Sequence, residues 1–532
     1  MKKTFLFSLL VCLGIIAIGQ NNIDVIHYKY HIDLNDKNDT LRGFAGISFV
    51  VLDDLKEIEF DLAGVNKSKG MRVDYVQFGL AAPGIEKYRQ TNNKVIITSP
   101  RPYKKGDTAE INIAYSGIPD DGLIISKNKY GDRTFFADNW PNRAHHWLPC
   151  VDRPDDKASF EFEVIAPSHY RVIANGTKIR EEVFQPGKKI THWIENIPLP
   201  TKVMVIGVAE FAVKVYEDSP PGIPVSAWVY KQDSIPGFRN YATAPSIVRF
   251  MSGYIGPYPY EKLANVQSKT IFGGMENASA IFYEELSASS DDNVDALMAH
   301  EIAHQWFGDM ASEKSFPHLW LSEGFATYLT HLYLESRFGT DSLNNRMKAD
   351  RQDIIDFARQ SNKTVVDSTS QLMNLLNTNS YQKGSWVLHM LRRQVGDSVF
   401  QHIIRSYYAA YAGKNADTRD FQTICETETK KGWQQFFDQW LYSPGLPHLE
   451  VTWRYDAKNG TVNGAIKQLQ EHLFSFPLEI GIRTVSGSML TIKLNITTQN
   501  PQFSIPVREQ PVQLILDPNT SLLFEGSARG NN

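Results

Sequence analysis

The stretch His300-Glu301-Ile302-Ala303-His304 sets two imidazoles four residues apart. On an α-helix that spacing leaves about 40° around the axis and about 6 Å along it, so both rings project from one face and two nitrogens can meet one metal ion. Glu301, one step along, is not a ligand in this geometry but reaches a water held at an open coordination position. A bare pattern of this kind arises by chance in long chains, so a further ligand decides its meaning. Glu323, within Trp320-Leu321-Ser322-Glu323-Gly324-Phe325-Ala326, supplies one. It lies in a run (Leu319, Phe325, Ala326, Leu329, Leu332, Tyr333) whose apolar positions recur at helical spacing. A glutamate on the core-facing flank of such a helix is costly to bury unless paired or ligating. Two histidines and one carboxylate, with a fourth position open, form the donor set of a catalytic rather than a structural zinc site.

Upstream stands Phe272-Gly273-Gly274-Met275-Glu276-Asn277. Paired glycines let backbone pass close to a ligand, and the following glutamate offers a negative charge beside it. On its own the segment reads as a turn with an exposed acid.

The elements that must position these groups follow from the rest of the chain. Its 532 residues are enough for about three or four domains. Lys+Arg 55 against Asp+Glu 59 leaves no electrostatic case for nucleic acid or an anionic membrane. Lys2 and Lys3 precede an apolar run from Phe5 to Ile18, followed by Gly19 and Gln20, which is the arrangement of a secretory signal over 1–20. A secreted or periplasmic protein is therefore expected, and no second apolar stretch is long enough to span a bilayer. Beyond Cys12, inside that run, only Cys150 and Cys425 remain, and they read as free thiols.

Residues 21–213 are β-rich, with alternation in Tyr28 to Leu34, Lys94 to Thr98, Glu110 to Ala114 and Phe160 to Val164, and a hairpin signal at Asn175-Gly176. Helical spacing takes over beyond Ile235, as in Ile247, Phe250, Met251 and Tyr254, so 214–444 reads as mainly helical. Pro444-Gly445-Leu446-Pro447 ends it, and short alternating runs over 445–532 predict a small β-sandwich. The fold class is α+β multidomain, in the order β domain, helical domain, β-sandwich.

Taken together, the histidine pair, Glu323 at its spacing and Gly-Gly-Met-Glu-Asn upstream resemble the gluzincin aminopeptidase family that includes aminopeptidase N and leukotriene hydrolase. The similarity extends to Trp147-Leu148-Pro149-Cys150-Val151-Asp152-Arg153-Pro154, to Gln305-Trp306-Phe307-Gly308-Asp309 and to Tyr381-Gln382-Lys383-Gly384, and so covers most of the chain. The resemblance implies a thermolysin-like catalytic domain with zinc on His300, His304 and Glu323, and Glu301 as general base. It makes Tyr381 the donor to the oxyanion, Glu276 the anchor of the substrate's free α-amino group, and the segment Gly273, Gly274, Met275, Glu276 and Asn277 the substrate-binding strand. The partners would be peptides with a free N-terminus.

Three departures qualify the likeness. Relatives carry a Gln or Glu as a second amine contact shortly before the Pro-Cys motif, where this chain offers Asp138 or Asn139. Ser322 stands where the family commonly has an Asn that supports a ligand histidine, and its reach is shorter. Larger relatives close the cleft with a C-terminal helical domain, whereas this sequence ends after its sandwich, so a more open cleft is expected. An Asn277-Ala278-Ser279 glycosylation triplet would block the cleft if modified and is discounted. The leading expectation is an aminopeptidase. The alternatives are an epoxide hydrolase of the leukotriene hydrolase type, which needs a fitted lipid pocket, and a non-catalytic peptide-binding scaffold, against which the full set of chemical groups speaks.

Overall fold

The structure, a computed structural model, describes residues 22–79 and 87–530. The signal segment 1–20 and Cys12 lie outside the described residues. Alternation in the first strand, Ile23–Asp33, sends Val25, Tyr28, Tyr30 and Ile32 into the core. Its neighbours build a seven-stranded sheet that is antiparallel except where Ile23–Asp33 runs parallel to Ala158–Pro167, with His27 opposite Ser159. A four-stranded sheet containing Arg133–Ala137 and a three-stranded sheet containing Lys94–Tyr103 complete this region.

The Pro-Cys motif is structural here. Tyr30 donates its hydroxyl to the Pro149 carbonyl at 3.0 Å, the Val151 N–H donates to Tyr28 Oη at 3.0 Å, and Cys150 exchanges backbone bonds with Asp61. Cys150 and Cys425 are buried free thiols. The motif thus ties the loop before it, residues 138 to 148, to the first strand's core.

Strand Phe211–Val215 crosses the expected boundary at 213 and forms the edge of the next sheet, pairing with Val225–Tyr230. Val225–Tyr230, Leu263–Ser268 and Ala280–Glu284 then run parallel, and the two-residue strand Gly274–Met275 closes the far edge antiparallel. The second region is therefore more than helical. Every residue of Leu263–Ser268 is buried, so no alternation marks it, which is why helical spacing dominates a sequence reading of this stretch. Helices Asp295–His304, Trp320–Phe338, Thr340–Ala358 and Gly384–Val395 pack beside that sheet.

Two antiparallel-rich sheets of four and three strands make the C-terminal sandwich. Arg351, on helix Thr340–Ala358, holds it: the guanidinium bonds Asp517 at 2.5 Å and the Leu522 carbonyl at 2.7 Å, and lies over the rings of Trp386 and Phe524. Pairing and two aromatic faces together compensate the burial of its charge. Among the described residues no helix is long and apolar enough to cross a membrane.

Candidate active site

Helix Asp295–His304 delivers His300 and His304, and helix Trp320–Phe338 delivers Glu323 from its first turn. The two Nε2 atoms stand 3.1 Å apart, and each lies 3.2 Å from Glu323 Oε2. Donors about 2.0–2.1 Å from a tetrahedral zinc ion would be separated by about 3.3 Å, so the triangle has the size that ion requires. Among the described residues this is the one cluster with metal-ligand geometry.

Electrostatics point the same way. Burial opposes ionisation of Glu323, yet the adjoining His304 and His300 hold its carboxyl well below the usual range. Burial likewise works against protonation of His304, but Glu323, Glu276 and Glu301 push it up to about 10. A site that draws a proton this strongly is built for positive charge, and three buried carboxylates around two imidazoles suit a divalent cation. His304 Nδ1 lies 3.1 Å from the Phe307 carbonyl and 3.0 Å from Ser322 Oγ, which orients the ring and leaves Nε2 for the metal. The reach of Ser322 is sufficient after all, because helix Trp320–Phe338 brings it against the ring.

Glu301, next on the helix, faces the cleft and is 5% exposed. Burial, opposed by the neighbouring His304, raises its carboxyl well above the ordinary range. A Cβ on Gly274 would sit 2.3 Å from Glu301 Oε1, so only glycine lets the strand Gly274–Met275 pass this close to the base. That strand is a sheet edge, and Gly273 accepts a bond from the Glu284 N–H at 3.0 Å, leaving its outer side open for a peptide to pair.

Tyr381 stacks on His300 with ring centroids 5.8 Å apart and 17° between planes. Asn379–Lys383 forms a π-helical turn before helix Gly384–Val395 begins. Such turns recur at functional sites because they re-aim one side chain. The turn passes helix Trp320–Phe338 at Gly324, where a Cβ would meet Gly384 Cα at 2.9 Å. Burial, reinforced by Glu323, raises the Tyr381 hydroxyl well above its usual range, so it stays a proton donor.

Glu276 lies on the opposite wall of the cleft, buried to 5% exposure. Its backbone is fixed by Gln305, whose amide donates to the Glu276 carbonyl at 2.6 Å and to Asp309 Oδ2 at 3.0 Å, and accepts from the Ser279 N–H at 2.7 Å. Gln305 follows His304 directly, so one amide sets the separation between the His300-His304-Glu323 cluster and Glu276. Sequence reasoning placed Gln305 in a motif without a role; its adjacency to a ligand was the available signal.

The structure corrects two placements. Asp138 and Asn139 are both 0% exposed and do not line the cleft. Asp138 accepts from Arg143 at 2.7 Å and from Thr270 Oγ1 and the Ile271 N–H, each at 3.1 Å, while Asn139 bonds the Thr201 and Met204 carbonyls and the Trp147 indole. Neither can serve as a second amine contact, because internal partners consume them. The residue beyond them, Trp140, lines the cleft instead. Asn277 is fully buried and also stays off the cleft wall, whereas Gly273, Gly274 and Met275 lie on it.

The cleft measures about 270 Å³, and its described lining residues run from Trp140 to Tyr381, with none from the C-terminal sandwich. A β domain, a parallel-stranded and helical domain with a His-His-Glu site, and a β-sandwich define the class of gluzincin metallopeptidases. The comparison with known families agrees: the Peptidase M1 N-terminal domain matches residues 25–203 and the Peptidase family M1 domain matches 240–440. The chain belongs to peptidase family M1. It is similar to Aminopeptidase M1-B of Oryza sativa subsp. japonica, 30% identical over 57% of this chain and 36% of that protein. It is also similar to Tricorn protease-interacting factor F2 of Thermoplasma acidophilum, 27% identical over 69% of this chain and 48% of the relative. The chain thus spans half or less of the length of these relatives. An M1 zinc metallopeptidase from Deinococcus radiodurans, solved as a crystal structure, superposes with a TM-score of 0.68 at 25% identity, over 81% of this chain and 96% of the other.

Proposed function

We propose that this chain is a zinc-dependent aminopeptidase that removes single residues from the free N-terminus of peptides, exported by means of its Lys2-Lys3 and Phe5 to Ile18 segment. The observation that carries the reading is Glu276, a buried carboxylate facing the His300-His304-Glu323 cluster across one small cleft. A terminal ammonium compensates that buried anion, and a mid-chain amide does not. Zinc, when bound, supplies Lewis acidity to the scissile carbonyl and acidity to the attacking water. The chain's own residues do the rest. Glu276 holds the amine, the Gly273 to Met275 segment aligns the peptide, Glu301 takes the water's proton and passes it to the leaving amine, and the Tyr381 hydroxyl donates to the developing oxyanion.

Aminoacyl fluorogenic substrates should be hydrolysed, their N-acetylated forms should not, and a chelator should stop turnover until zinc is returned. Glu276→Ala should lower kcat/KM on the free-amine substrates and erase most of the discrimination. Equal cleavage of acetylated and free substrates by the unmodified protein would remove the exopeptidase reading.

A further inference from the structure

Subtracting the groups that do chemistry from the cleft leaves a wall without charge: Trp140, Phe272, Met275, Leu297 and Leu376, with the glycines between. Trp140 meets Phe272 edge-on at 5.9 Å and 90°, and its other neighbour is Phe316 at 6.1 Å. Phe272 directly precedes Gly273, so this aromatic pair stands just before the edge strand Gly274–Met275, and Glu276 just after it. A substrate amine held by Glu276 has its first side chain two bonds away, against the same wall.

The charges nearest that wall are already engaged. Arg143 packs its guanidinium 5.8 Å from the centre of the Phe272 ring, but it is held by Asp138, by Asp121 and by the Trp140 carbonyl. Trp140 is 2% exposed, and its indole N–H has no hydrogen-bond partner among the described residues. The wall therefore offers apolar surface and no counter-ion for either sign of side chain.

We infer that Trp140 and Phe272, with Leu376 and Met275, receive the side chain of the residue to be removed, and that the enzyme is selective for large, apolar, uncharged N-terminal residues. This inference rests on the aminopeptidase reading. Desolvating a carboxylate or guanidinium against this wall has no compensation, while Leu, Met and Phe gain apolar contact. Trp140 acts on specificity and not on the chemical step, since the ammonium is held by Glu276.

The zinc-loaded protein, assayed with Leu, Met, Phe, Ala, Arg and Glu aminoacyl coumarins, should prefer Leu, Met and Phe over Arg and Glu by about 10²-fold or more in kcat/KM. If none of the six is turned over, the aminopeptidase reading itself falls. If turnover is good but Arg or Glu equals or leads the apolar set, only the pocket assignment falls. Trp140→Ala should lose about tenfold on Phe, mainly through KM, and under about threefold on Ala; an unchanged Phe-to-Ala ratio overturns the assignment. Because Trp140 is buried and Trp140→Ala could fail to fold, half-buried Leu376 provides an independent variant. Leu376→Lys should raise the Glu-to-Leu ratio by about tenfold, and no movement in that ratio counts against the pocket.

Discussion

The two walls of the cleft are built on different principles. On the metal side, His300, Glu301, His304 and Glu323 come from two helices packed against each other, and ligand atoms meet at 3.1–3.2 Å without help from another domain. On the amine side, Glu276 directly follows a two-residue edge strand, and its surroundings come from afar: Gln305 from the metal helix's end, Trp140 from the β domain. Beneath it Lys202 of the β domain pairs with Glu313 in full burial. Lys157, also from the β domain, donates to the Asp309, Met310 and Lys414 carbonyls at 2.9–3.2 Å. The metal half is a local device, and the anchor half is an inter-domain one. Rate should therefore depend chiefly on the first, and register and selectivity on the second.

The sharpest test of that division is Glu301→Gln. It removes the proton carrier while leaving the three donors, so kcat should fall by about 10² to 10⁴ with KM and zinc content little changed. A large rise in KM, or loss of zinc, would mean that the base also shapes the binding half and would blur the contrast.

A smaller effect of opposite character is expected from Gln305→Leu. It strips the Ser279 N–H of its acceptor and the Glu276 carbonyl of its donor, both in a buried setting where each unmet group costs about 1–3 kcal/mol. Drift of the anchor should raise KM about tenfold and weaken discrimination against N-acetylated substrates, with kcat reduced less. Gln305→Glu keeps the acceptor for Ser279 and should fall between. If both variants lose stability but retain the wild-type preference for a free amine, the amide is a structural tie and not a ruler between metal and anchor.

The same contrast explains what could be read from the sequence. Helical spacing alone places His300 and His304 on one face, and a carboxylate in a nearby apolar helix completes the site, so the metal half is legible without a structure. The role of Glu276 entered through family resemblance, because a glutamate after two glycines has no local signature. Asp138 and Asn139 misled because hydrogen-bonding capacity is visible in sequence and partners are not: Asp138 finds Thr270 and Ile271, more than a hundred residues away. Strand Leu263–Ser268 was hidden for a related reason, since burial on both faces erases the alternation that marks strands such as Ile23–Asp33. The π-helical turn under Tyr381 is likewise a product of packing, set where Gly324 and Gly384 bring two helices together.

The smallest effect concerns the β domain that supports the anchor. Asp156, next to Lys157, is buried and accepts, among the described residues, a single 3.5 Å contact from the Val25 N–H, and burial together with the charge of Asp24 raises its carboxyl to about 8. Its folded value lies above the unfolded one, so the fold favours the protonated form. That contribution is complete below pH of about 4 and is lost as pH rises through about 8. Lys157 works in the other direction, because burial depresses its ammonium to about 7 and its share is lost as pH falls. Comparing Asp156→Asn with the parent isolates the carboxyl, since Lys157 is common to both. Thermal unfolding from pH 5 to pH 9 should show the variant gaining on the parent as pH rises, and free-amine discrimination should follow the parent's loss while zinc content does not. Parallel unfolding curves would leave Asp156 without a part in holding the anchor half to the β domain.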